Sequence, residues 1–189
     1  MNIIQHSNLP FEIMTFDNLY TVDEIKKHVK FIEMANNKER TFTNNKFKNG
    51  KIINEELSNL IFSRLENTLP KMYIDRNMKK WKIVNSSKYI FYAKYENNEF
   101  FNIHTDTGSI YDPVNNLYSK FTLLTYLNDD YDGGETIFYD EILKETSKII
   151  PKTNKTLIFD IDIFHKGNNV TKNNKYWIGT EIVCEFIHE

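Results

Sequence analysis

A chain of 189 residues, 40% hydrophobic and 14% aromatic, is long enough for one domain with a sizeable core, and its aromatic share favours β-structure. A net charge of −2 and a pI near 6.2 argue against a broad electrostatic grip on nucleic acid. The single cysteine, Cys184, excludes an intrachain disulfide, Met1 to Pro10 lacks the basic-then-apolar pattern of a leader, and no apolar run nears the roughly 20 residues that span a bilayer. The expected setting is therefore cytoplasmic and reducing, away from any membrane.

Phe11 to Phe16 alternates as a strand. Thr21 and Glu24 then have the spacing of a capping box ahead of Ile25, Val29 and Ile32, which predicts a helix over Val22 to Ala35. The polar stretch Asn36 to Lys51 reads as a loop or loose hairpin. Asn54 opens a second apolar-periodic segment through Leu57, Leu60, Ile61 and Leu65, ending before Pro70. From Trp81 the pattern turns to strands separated by turn residues: Lys88 to Tyr95, Phe101 to Asp106, Phe121 to Leu127, Thr136 to Tyr139, Ile142 to Ile150, Thr156 to His165 and Tyr176 to Phe186. Helices ahead of strands predict an α+β, mainly β fold, in which a rolled or sandwiched antiparallel sheet carries helices on one side.

Within these strands the chemistry gathers on few residues. Side chains at i and i+2 of an extended strand share a face, so His104 and Asp106 can grip one ion from the same side. A second histidine from a distant strand, His165, completes a set of two imidazoles and one carboxylate, the ligands of non-haem Fe(II) sites that keep coordination positions open. The same set also suits Zn(II). In the segment before His165, strand parity puts Phe159, Ile161, Ile163 and His165 on the inward face and Asp160 and Asp162 on the other. Along Phe121 to Leu127 both faces are apolar, and Leu124 and Tyr126 are candidates to line a pocket. His6, His28 and His188 read as solvated or capping histidines. Thr107 to Lys120, polar and containing Gly108 and Pro113, is a candidate lid.

Asp132-Gly133-Gly134-Glu135-Thr136 is a tight turn leading into a strand. Tyr95, Phe101, His104 and Asp106 fit Tyr-x5-Phe-x2-His-x-Asp, Tyr126-Leu127-Asn128 precedes the Gly-Gly-Glu-Thr-x-Phe turn, and His165, Val170 and Lys175 come after it in order. In these residues, over about 81 to 187, the chain resembles the iron(II)- and 2-oxoglutarate-dependent dioxygenases of the prolyl 4-hydroxylase-like family. The resemblance implies a double-stranded β-helix, or jelly roll, over about 81–187, with N-terminal helical support over about 1–80, in a single domain spanning 1–189. It implies Fe(II) on His104, Asp106 and His165, and 2-oxoglutarate as co-substrate with its far carboxylate on Lys175 and hydrogen bonds from Tyr126 and Tyr95. With O2, and ascorbate as reductant, decarboxylation to succinate and CO2 would be coupled to C–H hydroxylation of a protein, peptide or small-molecule substrate. The arginine inventory agrees on the anchor: the arginines are Arg40, Arg64 and Arg76, so downstream of the histidine–aspartate motif only lysines are available, and of Lys166, Lys172 and Lys175 the last has the family's spacing.

Two positions depart from the family pattern. Asn98 stands where many members have glycine, a benign change because asparagine tolerates left-handed backbone. Glu181 stands six residues past the lysine, where peptidyl-prolyl hydroxylases typically carry tryptophan. That replacement puts peptidyl proline in doubt and predicts a substrate with an amine, guanidinium or hydroxyl near the reacting carbon. The competing readings are a nucleic-acid demethylase on the same fold, which the pI and the lysine anchor disfavour, and a non-catalytic metal-binding jelly roll.

Overall fold

The computed structural model describes residues 4–6, 12–35, 38–42 and 45–188. Its first elements are strands β1 (Ile4–Gln5) and β2 (Ile13–Asp17), helix α1 (Val22–Met34), strands β3 (Lys38–Phe42) and β4 (Asn45–Ile53), and helix α2 (Glu55–Leu65). Next come strands β5 (Met72–Ile74), β6 (Lys80–Ser86), β7 (Tyr89–Tyr95), β8 (Phe101–His104), β9 (Tyr111–Asp112) and β10 (Leu117–Tyr126). The remainder is β11 (Asp132–Gly133), β12 (Thr136–Tyr139), β13 (Glu145–Ile149), β14 (Lys155–Asp160), β15 (Phe164–Gly167), β16 (Val170–Lys172) and β17 (Lys175–Phe186).

Local chemistry accounts for both helices. Glu24 N–H donates to Thr21 Oγ1 at 3.3 Å while Thr21 N–H donates to Glu24 Oε2 at 2.7 Å, the reciprocal pair of a capping box. Asn54 Oδ1 accepts from Leu57 N–H at 2.9 Å and caps α2. Helix α1 buries Ile25 and Ile32 and α2 buries Ile61 and Leu65, in one core cluster with Tyr92, Ile178 and Ile182 of the large sheet. None of the described helices is long and apolar enough to cross a membrane.

The strands form a curled antiparallel sandwich, in agreement with the expected mainly β jelly roll. The large sheet runs β1-β2-β14-β10-β17-β7-β4-β3, and the small one β13-β12-β15-β8. Between them a second core is built from Leu124, Tyr126, Leu157 and Phe159 of the large sheet and Phe138 and Ile149 of the small one. Strand alternation divides β17 between the two cores: Tyr176, Ile178, Ile182 and Cys184 face the helices, so Lys175, Trp177, Gly179 and Glu181 face the roll. A Cβ on Gly179 would lie 2.1 Å from Leu123 O and 3.0 Å from Leu124 Cα on β10. Gly179→Ala is accordingly expected to destabilise by about 3 kcal/mol or more, lowering the melting temperature by roughly 6–12 °C in a thermal scan.

Several expectations change. The stretch Thr156 to His165 is not one strand: it breaks into β14 and β15, which belong to different sheets. The break is a turn at Asp160, whose carbonyl accepts from Ile163 N–H at 3.2 Å and whose Oδ1 accepts from Asp162 N–H at 2.9 Å. Asp160 is thus buried rather than outward, and burial raises its carboxyl pKa, whereas Asp162 is exposed as expected. The residues before 80 are also more than helical support, since β2 pairs with β14 and β4 with β7. Of the two readings given for Asn36 to Lys51, loop or hairpin, the structure has the hairpin, formed by β3 and β4. Phe11, the predicted start of the first strand, and residues 36, 37, 43 and 44 lie outside the described residues. Part of the candidate lid is strand, because β9 and the first residues of β10 pair there.

Candidate active site

Two histidines from strands far apart in sequence become direct neighbours in the small sheet, where His165 on β15 is the cross-strand partner of His104 on β8. Their ring centroids are 4.2 Å apart. Each ring is oriented by a carbonyl two residues upstream: His104 Nδ1 lies 2.7 Å from Asn102 O and His165 Nδ1 lies 2.9 Å from Ile163 O. A carbonyl only accepts, so in both rings Nδ1 carries the proton and Nε2 presents its lone pair. Burial holds the His165 imidazolium down to about 4, and the ring is neutral at physiological pH. Phe101 stacks on His104 at 3.7 Å, and Phe159 meets His165 edge-on at 4.6 Å, fixing both planes.

Asp106 joins them from outside a strand. β8 ends at His104, so a shared strand face does not account for this pair, and the carboxylate is positioned by other contacts. Asp106 N–H donates to Ile161 O at 2.9 Å, and Thr122 Oγ1 donates to Asp106 Oδ2 at 2.5 Å. The carboxylate then faces both Nε2 atoms, 3.4 Å from that of His104 and 3.7 Å from that of His165. The ligand atoms of His104, Asp106 and His165 all lie within 4.8 Å of one another. Two imidazoles whose Nε2 atoms converge on one carboxylate fit a divalent ion, and their donor types fit Fe(II).

Lys175 begins β17 on the large sheet, only 3% exposed. Its Nζ donates to Gly134 O at 2.6 Å and lies 5.3 Å from the ring centroids of both Tyr95 and Tyr126. Gly134 needs its φ of +70°, and a Cβ there would meet Tyr131 Cε2 at 2.9 Å and Lys175 Cδ at 3.1 Å, so glycine is what lets the lysine stem lie against the turn. Burial pushes the ammonium down to about 7, with Glu135 opposing. An ammonium has three donors, and a buried one held by one carbonyl and two ring faces is suited to an incoming carboxylate.

Both expected tyrosines border this lysine. Tyr126 is fully buried, with its hydroxyl 2.6 Å from Thr136 Oγ1, and Tyr95 stacks on Phe47 at 4.7 Å. Thr122 is a site residue that motif reading missed, whereas Phe101 and Thr136 stood in the motifs with no role assigned to them. Thr122 was accessible in principle, since it shares strand parity with Leu124 and Tyr126, the two expected pocket residues. Glu181 is neither on the outer surface nor offered to the open site: it is 5% exposed, and its Oε2 already accepts from Ser109 N–H at 2.9 Å and from the hydroxyls of Ser109 and Ser119, each at 2.5 Å.

Comparison with known proteins agrees with this arrangement. The family model described as "2OG-Fe(II) oxygenase superfamily" matches residues 90–180, a span that includes His104, Asp106, His165 and Lys175. No match among curated proteins is found by sequence. Among solved structures, an oxidoreductase of the 2OG-Fe(II) oxygenase family from Burkholderia pseudomallei superposes with a TM-score of 0.67 at 10% identity, over 92% of this chain and 86% of that one. A Trichoplax adhaerens prolyl hydroxylase, solved with a hypoxia inducible factor peptide fragment, gives 0.65 at 16% identity over 92% and 84%. The viral collagen prolyl hydroxylase of Paramecium Bursaria Chlorella virus-1, solved as its 2OG complex, gives 0.58 at 17% identity over 92% and 95%. The matched segment runs through the strands that bear both histidines and the buried lysine and takes in the Asp106 carboxylate, so residues 90–180 match the 2OG-Fe(II) oxygenase superfamily, on a fold shared with solved prolyl hydroxylases.

Proposed function

We propose that the protein is a hydroxylase that couples conversion of 2-oxoglutarate to succinate and CO2 with hydroxylation of a C–H bond in a protein, peptide or small-molecule substrate. The observation that carries this reading is the convergence of His104, Asp106 and His165 within 4.8 Å on one side of a roll that also buries an ammonium, Lys175. When bound, Fe(II) with 2-oxoglutarate supplies the activation of O2, one oxygen atom going to succinate and the other to the substrate.

The chain's part in that chemistry is positional and electrostatic. His104 and His165 deliver Nε2 because their Nδ1 protons are engaged by carbonyls, and Asp106 contributes the charge, steadied by Thr122. Lys175 holds the far carboxylate of the co-substrate, with Tyr126 and Tyr95 as the walls that align it. Phe159, Phe138 and Leu124 keep water from the ligand side of the roll. The segment 1–189 acts as one catalytic domain, since β2 and β4 complete the same sheet that carries Lys175.

Peptides are the first substrate class to screen, because one structural neighbour is seen with a peptide and another is named a collagen prolyl hydroxylase. Glu181, spent on two serines, gives no ground for preferring a cationic substrate over proline. The test has two stages. Anaerobic Fe(II) and 2-oxoglutarate together are expected to raise a visible charge-transfer absorption that neither raises alone. Under oxygen, with ascorbate, proline-containing peptides, free amino acids and nucleosides are then screened for substrate-stimulated succinate. No absorption with both partners present would remove the assignment, and stimulation by nucleosides alone would transfer it to nucleic-acid chemistry.

A further inference from the structure

We propose that Glu181 is a positioning residue, a latch that fastens the segment 107–110 to the large sheet and thereby fixes the Asp106 carboxylate for metal binding. The inference rests on the reading of Asp106 as a metal ligand. Asp106 lies two residues beyond the end of β8, its backbone held through its N–H on Ile161 O at 2.9 Å rather than by a strand ladder. The anchoring of the next few residues is therefore decisive, because a chain free to lift at residue 107 would carry the carboxylate away from His104 and His165.

Three contacts hold that chain down, all centred on β10 and β17. Gly108 is pressed on β10 so closely that a Cβ would meet Ser119 Cβ at 2.8 Å. Ser109 gives both its N–H and its hydroxyl to Glu181 Oε2, at 2.9 and 2.5 Å. Ser119 gives its hydroxyl to the same oxygen at 2.5 Å, while its Oγ accepts from Ile110 N–H at 3.1 Å and its N–H donates to Ile110 O at 3.0 Å. A carboxylate 5% exposed would be untenable without such donors, and hydrogen bonds to an ionised acceptor are the strong kind.

Register connects the latch to the ligand. The partner of Glu181 across the β10–β17 pair is Thr122, the residue whose hydroxyl donates to Asp106. Facing residues of one strand pair thus hold the segment at two points, Thr122 at the ligand itself and Glu181 three residues on. Neither point alone fixes both the position and the direction of the chain between residues 106 and 109.

The test uses Glu181→Gln, which keeps the shape and one acceptor but removes the charge, and Ser109→Ala, which leaves β17 untouched. Mn(II) affinity is measured by titration without co-substrate, and amide hydrogen exchange is followed at 107–110. Outer partners of metal ligands typically influence affinity by roughly 10–100-fold, so each variant is expected to weaken Mn(II) binding about tenfold and to speed exchange at Ser109. Unchanged Mn(II) affinity in both variants overturns the proposal, whatever the exchange shows. Asp106→Ala is run beside them: if it binds Mn(II) as tightly as the unaltered protein, the ligand reading is what fails, and if it loses the ion while the two variants keep it, only the latch fails.

Discussion

Lys175→Met is expected to weaken 2-oxoglutarate binding by one to two decades while making the co-substrate-free protein more stable. The first effect comes from losing a charge-assisted contact, which contributes roughly 1.5–3 kcal/mol. The second comes from where the charge sits. Burial lowers the ammonium pKa from 10.5 to about 7, so between those values the unfolded chain binds a proton that the folded one does not, and stability rises with pH across that window. Below about pH 7 the cost of the buried charge is at its full value. At about 1.4 kcal/mol per pH unit it is bounded by roughly 5 kcal/mol, less about 1–3 kcal/mol for the Gly134 carbonyl that loses its donor. A net gain of at most about 2–4 kcal/mol at pH 6 would raise the melting temperature by up to roughly 4–16 °C, and the gain should shrink toward pH 10. The same titration predicts that the unaltered enzyme binds 2-oxoglutarate most tightly below pH 7 and loses affinity above it, by up to about tenfold per pH unit. A Lys175→Met protein with unchanged 2-oxoglutarate affinity would hand the anchor to another residue.

His165→Ala, like His104→Ala and Asp106→Ala, is expected to abolish turnover and to remove most Fe(II) affinity. Of these His165 should show the largest effect, because its loss also opens a hole beside Phe159 and Phe138. Asp162→Ala is the control from the same stretch of chain. Its side chain is 66% exposed and pairs only loosely with Lys120 at 3.4 Å, so the change should stay within about 0.5 kcal/mol and leave turnover intact. Equal damage from Asp162→Ala would mean that the turn between β14 and β15, rather than the imidazole, is what the assay reports.

The sequence spelled out what depends on local rules and on chemical type. Thr21, Glu24 and Asn54 announced both helix starts, because a cap is satisfied within a few residues of itself. Lys175 stood out by spacing and by the lack of any competing arginine. The hidden remainder depends on partners distant in the chain. Strand β4, rich in lysine and asparagine, is strand because β7 is beside it, and no periodicity in Asn45–Ile53 declares that. Parity along residues 156–165 turns His165 inward correctly but for an incomplete reason, since that stretch turns at Asp160 and changes sheet. Asp106 lacks the strand its spacing suggests, and the residues that hold it instead, Thr122 and Ile161, come from two other segments.

That division of the site has a bearing on the protein's lifetime. Both histidines stand on the small sheet, whereas Asp106 is tied through Thr122 to the large one. An ion gripped by all three would act as a clasp across the seam of the sandwich, and at one hundred times its dissociation constant such a ligand adds about 2.7 kcal/mol against unfolding. Without the ion that clasp is absent, and the chain would lose catalytic power and resistance to unfolding together.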